Sequence, residues 1–227
     1  MNIIYFGYDM FIDVLKFLIN KKDINILKVF SFETDNEIDF NREIISLCNQ
    51  ENIPITLNKV TKNDMEDMFL NKNCDLAVCA GYNFKIPTDV KGFKGINFHP
   101  SLLPWGKGPW PLPYVIINNL KQNGVTVHKL SSNFDEGEIL ISEPYEVTNN
   151  DNLHSLENKS KVTAVNLAKK IFDNFDYYFE NAKVQGKGEY LIEPPDSFRT
   201  IDKNTTEAQK ELILRAFGEN YVIYKGE

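Results

Sequence analysis

Strand-like and helix-like runs alternate through residues 1–82 with short connections, and this alternation constrains the fold more than any other feature of the chain. NIIYFGY (2–8) reads as a buried strand, and Asp9 stands where it would cap the amphipathic run MFIDVLKFLIN (10–20) as a helix. INILKVFSF (24–32) is a second strand, and the stretch from Asp39 to Gln50 places Phe40, Ile44, Ile45, Leu47 and Cys48 at helical spacing. IPITL (53–57) is a short strand, NDMEDMFLNK (63–72) a helix, and CDLAVCAGY (74–82) a near-continuous apolar strand. Strands that are apolar throughout and joined through helices belong to a parallel sheet covered on both faces. The expected class is therefore α/β, with a Rossmann-like, mostly parallel sheet and helices on both sides.

Such sheets bind ligands beyond the carboxyl ends of their strands. That rule puts Gly7 and Tyr8, Ala80 to Tyr82, and Asn97 to His99 on one rim. After Pro113 the pattern predicts a helix (114–119), a strand GVTVHKLS (124–131), an acidic turn NFDEGE (133–138), a strand ILIS (139–142) and one long helix from Leu153 to about Asn181. The catalytic-type domain is expected over residues 1–182. Residues 183–227 are expected to form a small α+β appendage, with a short helix at 206–217 and a last strand in NYVIYK, serving as a dimer contact or an extension of the substrate cleft.

Composition closes off several classes. A net charge of −7 argues against a general nucleic-acid binder. FGYDMF after the first strand has one glycine where a dinucleotide site needs three, and there is no phosphate-loop sequence. Three cysteines (Cys48, Cys74, Cys79) lie in apolar or helical surroundings and read as buried thiols; with three histidines they never reach metal-ligand spacing, so no metal site is expected. No run approaches the length of a membrane helix and the chain opens directly on a strand, which suggests a cytoplasmic protein that does not use a membrane.

The segment GINFHPSLLPWGKGPWPLP (95–113) is too rich in proline and glycine to be helix or sheet beyond its start, and it carries both tryptophans. Residues two apart in an extended chain share a face, so Asn97 and His99 present an amide and an imidazole to one cleft. An amide fixed near a carbonyl stabilises a developing oxyanion, and histidine is the usual proton carrier near neutral pH. Asp135, in the turn between two predicted strands, is the acid available to orient the imidazole; without such a role it would be an exposed turn residue.

INFHPSLLPWGKGPWP followed by GVTVHKLSSNFDEGEIL resembles the catalytic domain of the N10-formyltetrahydrofolate-dependent formyltransferases. The matching positions are Asn97, His99, Ser101 to Pro104, Gly124 to Thr126, Asp135 and Gly137, and the resemblance spans roughly residues 1–180. It implies that His99 takes a proton from the attacking amine, that Asn97 holds the formyl oxygen and that Asp135 orients His99. It also implies a folate pocket formed by Gly81, Tyr82, Phe84 and Ile86, with backbone groups of Ser132, Asn133 and Phe134 bonding the pterin edge.

Within that family the chain looks most like the short sugar N-formyltransferases, which act on nucleotide-linked amino sugars, commonly 4-amino-4,6-dideoxy types linked to dTDP, and are often homodimers. The glycine-rich phosphate loop of the glycinamide ribonucleotide enzymes is missing after the first strand, the basic C-terminal domain of the methionyl-tRNA enzymes is not expected, nor is the leading regulatory domain of the hydrolases. On the acceptor side the resemblance implies Lys107 at a pyrophosphate, Trp105 or Trp110 stacked on a base or sugar, and Ser101 and Tyr8 on the same rim. The loop also resembles formylation domains that act on aminoacyl or hydroxyornithine amines, and a folate- or nucleotide-binding module without turnover is the rival of a different class. His128 reads as a packing or supporting residue, His154 as exposed, and Arg199 and Arg215 carry no assigned role.

Overall fold

The computed structural model describes residues 1–36 and 40–225. Asp39, where the second helical pattern starts, and the last two residues of the appendage lie outside the described residues. The chain opens with β1 (Asn2–Gly7), a 3-10 turn at Asp9–Phe11 and α1 (Ile12–Ile19), then β2 (Asn25–Phe30), α2 (Arg42–Gln50) and β3 (Ile55–Thr56). α3 (Lys62–Glu66) continues as a π turn, Asp67–Asn71, into β4 (Leu76–Ala80), β5 (Gly95–His99) and α4 (Leu112–Ile117). β6 (Gln122–Lys129) and β7 (Ile139–Glu146) follow, then α5 (Leu153–Asp173) and α6 (Phe175–Glu180). The last elements are β8 (Thr200–Ile201), α7 (Glu207–Phe217) and β9 (Ile223–Tyr224).

The main sheet runs β3-β2-β1-β4-β5-β6-β7, parallel from β3 to β5 and antiparallel for β6 and β7. β1 divides two cores by its two-residue period. Ile3 and Tyr5 face a core closed by α1 and α5, whereas Ile4 and Phe6 face one closed by α3 and its π turn. Because β2 lies on one side of β1 and β4 on the other, the crossover direction reverses between β1 and β4, which opens a crevice at their carboxyl ends.

Two local readings are corrected. Asp9 does not cap the helix beside it; its carboxylate accepts from the backbone N–H of Glu43 and Ile44 at 3.1 and 2.8 Å and caps α2 instead. The expected single helix from Leu153 breaks at Asn174, whose φ of −151° and ψ of 59° leave the helical region, so α5 and α6 are separate. The start of α5 is well marked, with Asn152 and Ser155 forming a reciprocal capping box.

A third core joins α4, the start of α5 and α7 through Leu112, Val115, Leu156 and Phe217. Phe217 is wholly buried there, a contribution of about 2–3 kcal/mol from apolar burial. The C-terminal elements are thus held against α4 and α5 through α7.

Candidate active site

The crevice widens into a cleft of about 1220 Å³ whose floor carries Asn97, His99, His128 and Asp135. Strand register brings them together. Asn97 of β5 lies opposite Cys79 of β4 on one side and His128 of β6 on the other. His99 closes β5, and Asp135 returns over it from the loop between β6 and β7. Gly137 permits that return, since a Cβ there would collide with the carbonyl oxygen of Lys129.

Asp135 is the hub and is buried, not an exposed turn tip. Its Oδ1 lies 3.3 Å from Asn97 Nδ2, 3.5 Å from His99 Nδ1 and 3.4 Å from His128 Nε2, while Oδ2 accepts from the N–H of Gly108 at 2.8 Å. Burial pushes its carboxyl pKa up, but the charge that His99 carries when protonated, the bond and charge of a protonated His128 ring and the Gly108 N–H outweigh it and hold the group well below the usual carboxylate range. Asp135 is therefore an anion at neutral pH.

The hydrogen bonds fix both ring tautomers. His99 Nε2 lies 2.7 Å from the Gly106 carbonyl oxygen, which can only accept, so Nε2 carries hydrogen and Nδ1 is the basic nitrogen of the neutral ring. His128 Nδ1 donates likewise to the Lys129 carbonyl at 2.8 Å, leaving Nε2 to accept from Asn97 Nδ2 at 3.1 Å. Asn97 thus spends its two amide hydrogens on His128 and Asp135 and is not a free donor. His128 joins the three expected residues directly. Its place follows from the β5–β6 register, and the sequence signal was the alternation of GVTVH, which turns Thr126 and His128 to one face.

Gly81, Tyr82, Phe84 and Ile86 line one wall of the cleft, and Asn133 and Phe134 its lip. The Tyr82 hydroxyl accepts from the Val60 N–H at 3.0 Å while its ring packs against Phe6 and Phe84. Ser132 lies instead at a smaller cavity of about 420 Å³ beside Lys59, Lys62 and Lys85. Tyr8 and Trp110, both expected near the acceptor, also line the cleft, with Trp110 against Tyr221 at a centroid distance of 4.7 Å.

Ser101, Trp105 and Lys107 are not among the cleft-lining residues. Ser101 is buried and donates to the carbonyls of Trp105 and Gly106, shaping the loop that presents Gly106 to His99. Trp105 packs beside the α4–α7 core. Lys107 is buried, its backbone paired with Glu189 and Leu191 and its ammonium 3.9 Å from Glu136. The His154 side chain is exposed. Arg199 lines the cleft and donates to Asp196 and to the Tyr221 carbonyl, and Arg215 donates to the Asp151 carbonyl. The three cysteines are buried, and burial raises the Cys79 thiol to about 12. Among the described residues no His, Cys, Asp and Glu group could hold a metal ion, and no helix is long and apolar enough to cross a membrane.

Beside the switch point of this seven-stranded, mostly parallel sheet stand an amide, two imidazoles and a buried carboxylate, groups that can take up and return a proton. Residues 22–170 match the family model described as Formyl transferase, and the chain belongs to that family. Curated relatives include the methionyl-tRNA formyltransferase of Ehrlichia chaffeensis (strain ATCC CRL-10679 / Arkansas), 28% identical over 187 residues that cover 78% of this chain and 62% of the relative. That of Ehrlichia ruminantium (strain Gardel) is 27% identical over 165 residues, 71% of this chain and 54% of its own length. The chain therefore spans between 54% and 62% of these two relatives. Among solved structures, a 4-N formyltransferase from Francisella tularensis superposes with a TM-score of 0.74 at 23% identity, covering 95% of this chain and 87% of that one. The N-formyltransferase from Helicobacter canadensis, in complex with folinic acid and dTDP-3-aminofucose, gives 0.73 at 17% identity over 99% of this chain and 83% of that one. These likenesses establish the fold.

Proposed function

We propose that the chain transfers a formyl group from N10-formyltetrahydrofolate to the amine of a nucleotide-linked amino sugar, with a dTDP-linked 4-amino-4,6-dideoxyhexose as the first acceptor to test. The observation that carries this reading is the buried Asp135 carboxylate shared by Asn97, His99 and His128 at the bottom of an aromatic cleft. The donor supplies an activated formyl carbon. His99 Nδ1 accepts the proton of the amine as its nitrogen bonds to that carbon, and Asp135, 3.5 Å away, stabilises the imidazolium that forms. The longer of Asn97's two bonds, 3.3 Å to Asp135, is the one that yields when the amide turns to the oxygen that gains charge. The same imidazolium returns the proton to the leaving nitrogen, so the ring ends as it began.

The residues fit a folate. Phe84 and Ile86 offer an apolar wall, and Phe134, 46% exposed at the lip, is surface that a flat heterocycle would cover. Asn133, exposed at the lip, is available to its polar edge. On the far side Trp110, Tyr221 and Arg199 suit a base and a phosphate. We place residues 183–227 in that half of the cleft and at a homodimer contact, and the enzyme in the cytoplasm, where folate and nucleotide sugars meet. The charge of −7 favours a small acceptor over tRNA, the substrate named for the curated relatives.

The test follows loss of the formyl group from N10-formyltetrahydrofolate by absorbance with dTDP- and UDP-linked 3- and 4-amino sugars, hydroxyornithine, an aminoacylated carrier and methionyl-tRNA. Turnover on a nucleotide sugar that His99→Asn abolishes supports the proposal. Turnover on methionyl-tRNA alone overturns the acceptor.

A further inference from the structure

The segment after α6 stays on the catalytic loops. Lys183 and Ile139 exchange backbone bonds of 2.8 and 2.7 Å at the start of β7. Gln185 then donates both amide hydrogens into the turn that carries Asp135, 2.8 Å to the carbonyl of Asp135 and 2.6 Å to that of Gly137. Gly188 lies so close to Pro104 that a Cβ would collide with its carbonyl oxygen. Next, the Lys107 N–H donates to Glu189 at 3.1 Å, and the Leu191 N–H donates to Lys107 at 2.7 Å.

Residues 183–191 therefore stitch together the two loops that position the catalytic pair. The loop at 106–108 supplies the Gly106 carbonyl to His99 and the Gly108 N–H to Asp135. The other loop is Asp135's own, and its backbone needs holding: Asp135 has φ of +53°, the left-handed region that a side chain disfavours.

We propose that Gln185 is a positioning residue for group transfer, fixing the carbonyls of Asp135 and Gly137 so that the Asp135 carboxylate is aimed at both His99 and Gly108. The inference rests on the reading of the site as a formyl-transfer centre. A glutamine suits the task because one neutral nitrogen offers two donors to two carbonyls without setting a charge beside the carboxylate. Methionine of similar length keeps the packing and removes both donors. Glutamate keeps the shape and sets an acceptor against two acceptors.

The experiment compares the full-length parent with Gln185→Met and Gln185→Glu in two measurements. In steady state, kcat is expected to fall about 100-fold, the scale of a small misplacement of a catalytic group, with both KM values nearly unchanged. In amide hydrogen exchange, the Gly108 N–H loses protection while the amides of β1 keep theirs, which separates local loosening from loss of fold. Should the methionine variant fail to fold, the glutamate variant carries both readouts. A kcat within about twofold of the parent, or an unchanged Gly108 amide, overturns the inference. If the parent itself transfers no formyl group to any acceptor, the activity reading fails while the exchange result still decides whether Gln185 holds the Asp135 loop.

Discussion

His99 donates from Nε2 to the carbonyl oxygen of Gly106 at 2.7 Å, and this one bond decides which ring nitrogen can take a proton. The basic Nδ1 faces Asp135, so proton uptake creates an ion pair within the buried floor. His99→Asn removes the acceptor atom and is expected to lower kcat by about 10²–10⁴-fold, the usual worth of a positioned acid–base group. Folate binding should persist, because the apolar wall is untouched. Rapid-quench kinetics and titration calorimetry on the variant check the two halves separately.

Asp135 gives a prediction in acid. Its folded-state carboxyl pKa is depressed, so its stabilising contribution is complete above the unfolded value, about 3.9, and is lost as pH falls through the folded value. Asp135→Asn should therefore lower Tm near neutrality and by progressively less below about pH 4. Melting curves of both proteins at matched ionic strength read the difference. A gap that stays constant into strong acid would mean that the loss came from packing rather than charge.

Asp9 caps a helix remote from it in sequence, so it is a tertiary tie between the end of β1 and α2. Asp9→Ala leaves the Glu43 and Ile44 N–H groups without their acceptor and should cost about 1 kcal/mol, read as a lower urea midpoint at unchanged slope.

Opposite walls of the cleft should separate kinetically. Trp110→Ala removes a ring packed on Tyr221 and Phe217, and about a tenfold rise in acceptor KM is expected, equal to about 1.4 kcal/mol. Phe84→Ala should raise the KM for the formyl donor instead. Initial-rate matrices in both substrates test this, and a Trp110 variant that weakened only the donor would reverse the assignment of the walls.

The layered sheet was legible because β1 and β4 are nearly continuous apolar runs, β2 is apolar apart from Asn25 and Lys28, and the intervening helices are amphipathic, signals carried within each segment. Asn97 and His99 were legible for the same reason, being two apart at a strand end. What escaped depends on partners distant in sequence. Nothing near Asp9 marks Arg42–Gln50 as the helix it caps, and nothing within GVTVH fixes its register against β5. Lys107 and Trp105 sit in a loop expected to meet the acceptor, yet the chain returns some eighty residues later to cover Lys107. Gln185 sits in an unremarkable polar stretch, and only folding brings it under Asp135.

The return of residues 183–191 over the catalytic loops also sets an order of maturation. A ribosome delivers a chain from its N-terminus at about 5–20 residues per second. The last strand of the main sheet ends at Glu146 and α5 at Asp173, both upstream of the segment that pins the loops at Gly106, Gly108 and Asp135. A chain made only as far as Asp173 would contain every strand of the main sheet with Asn97, His99 and Asp135 and still lack residues 183–191, so on the proposed reading the site is completed late in synthesis.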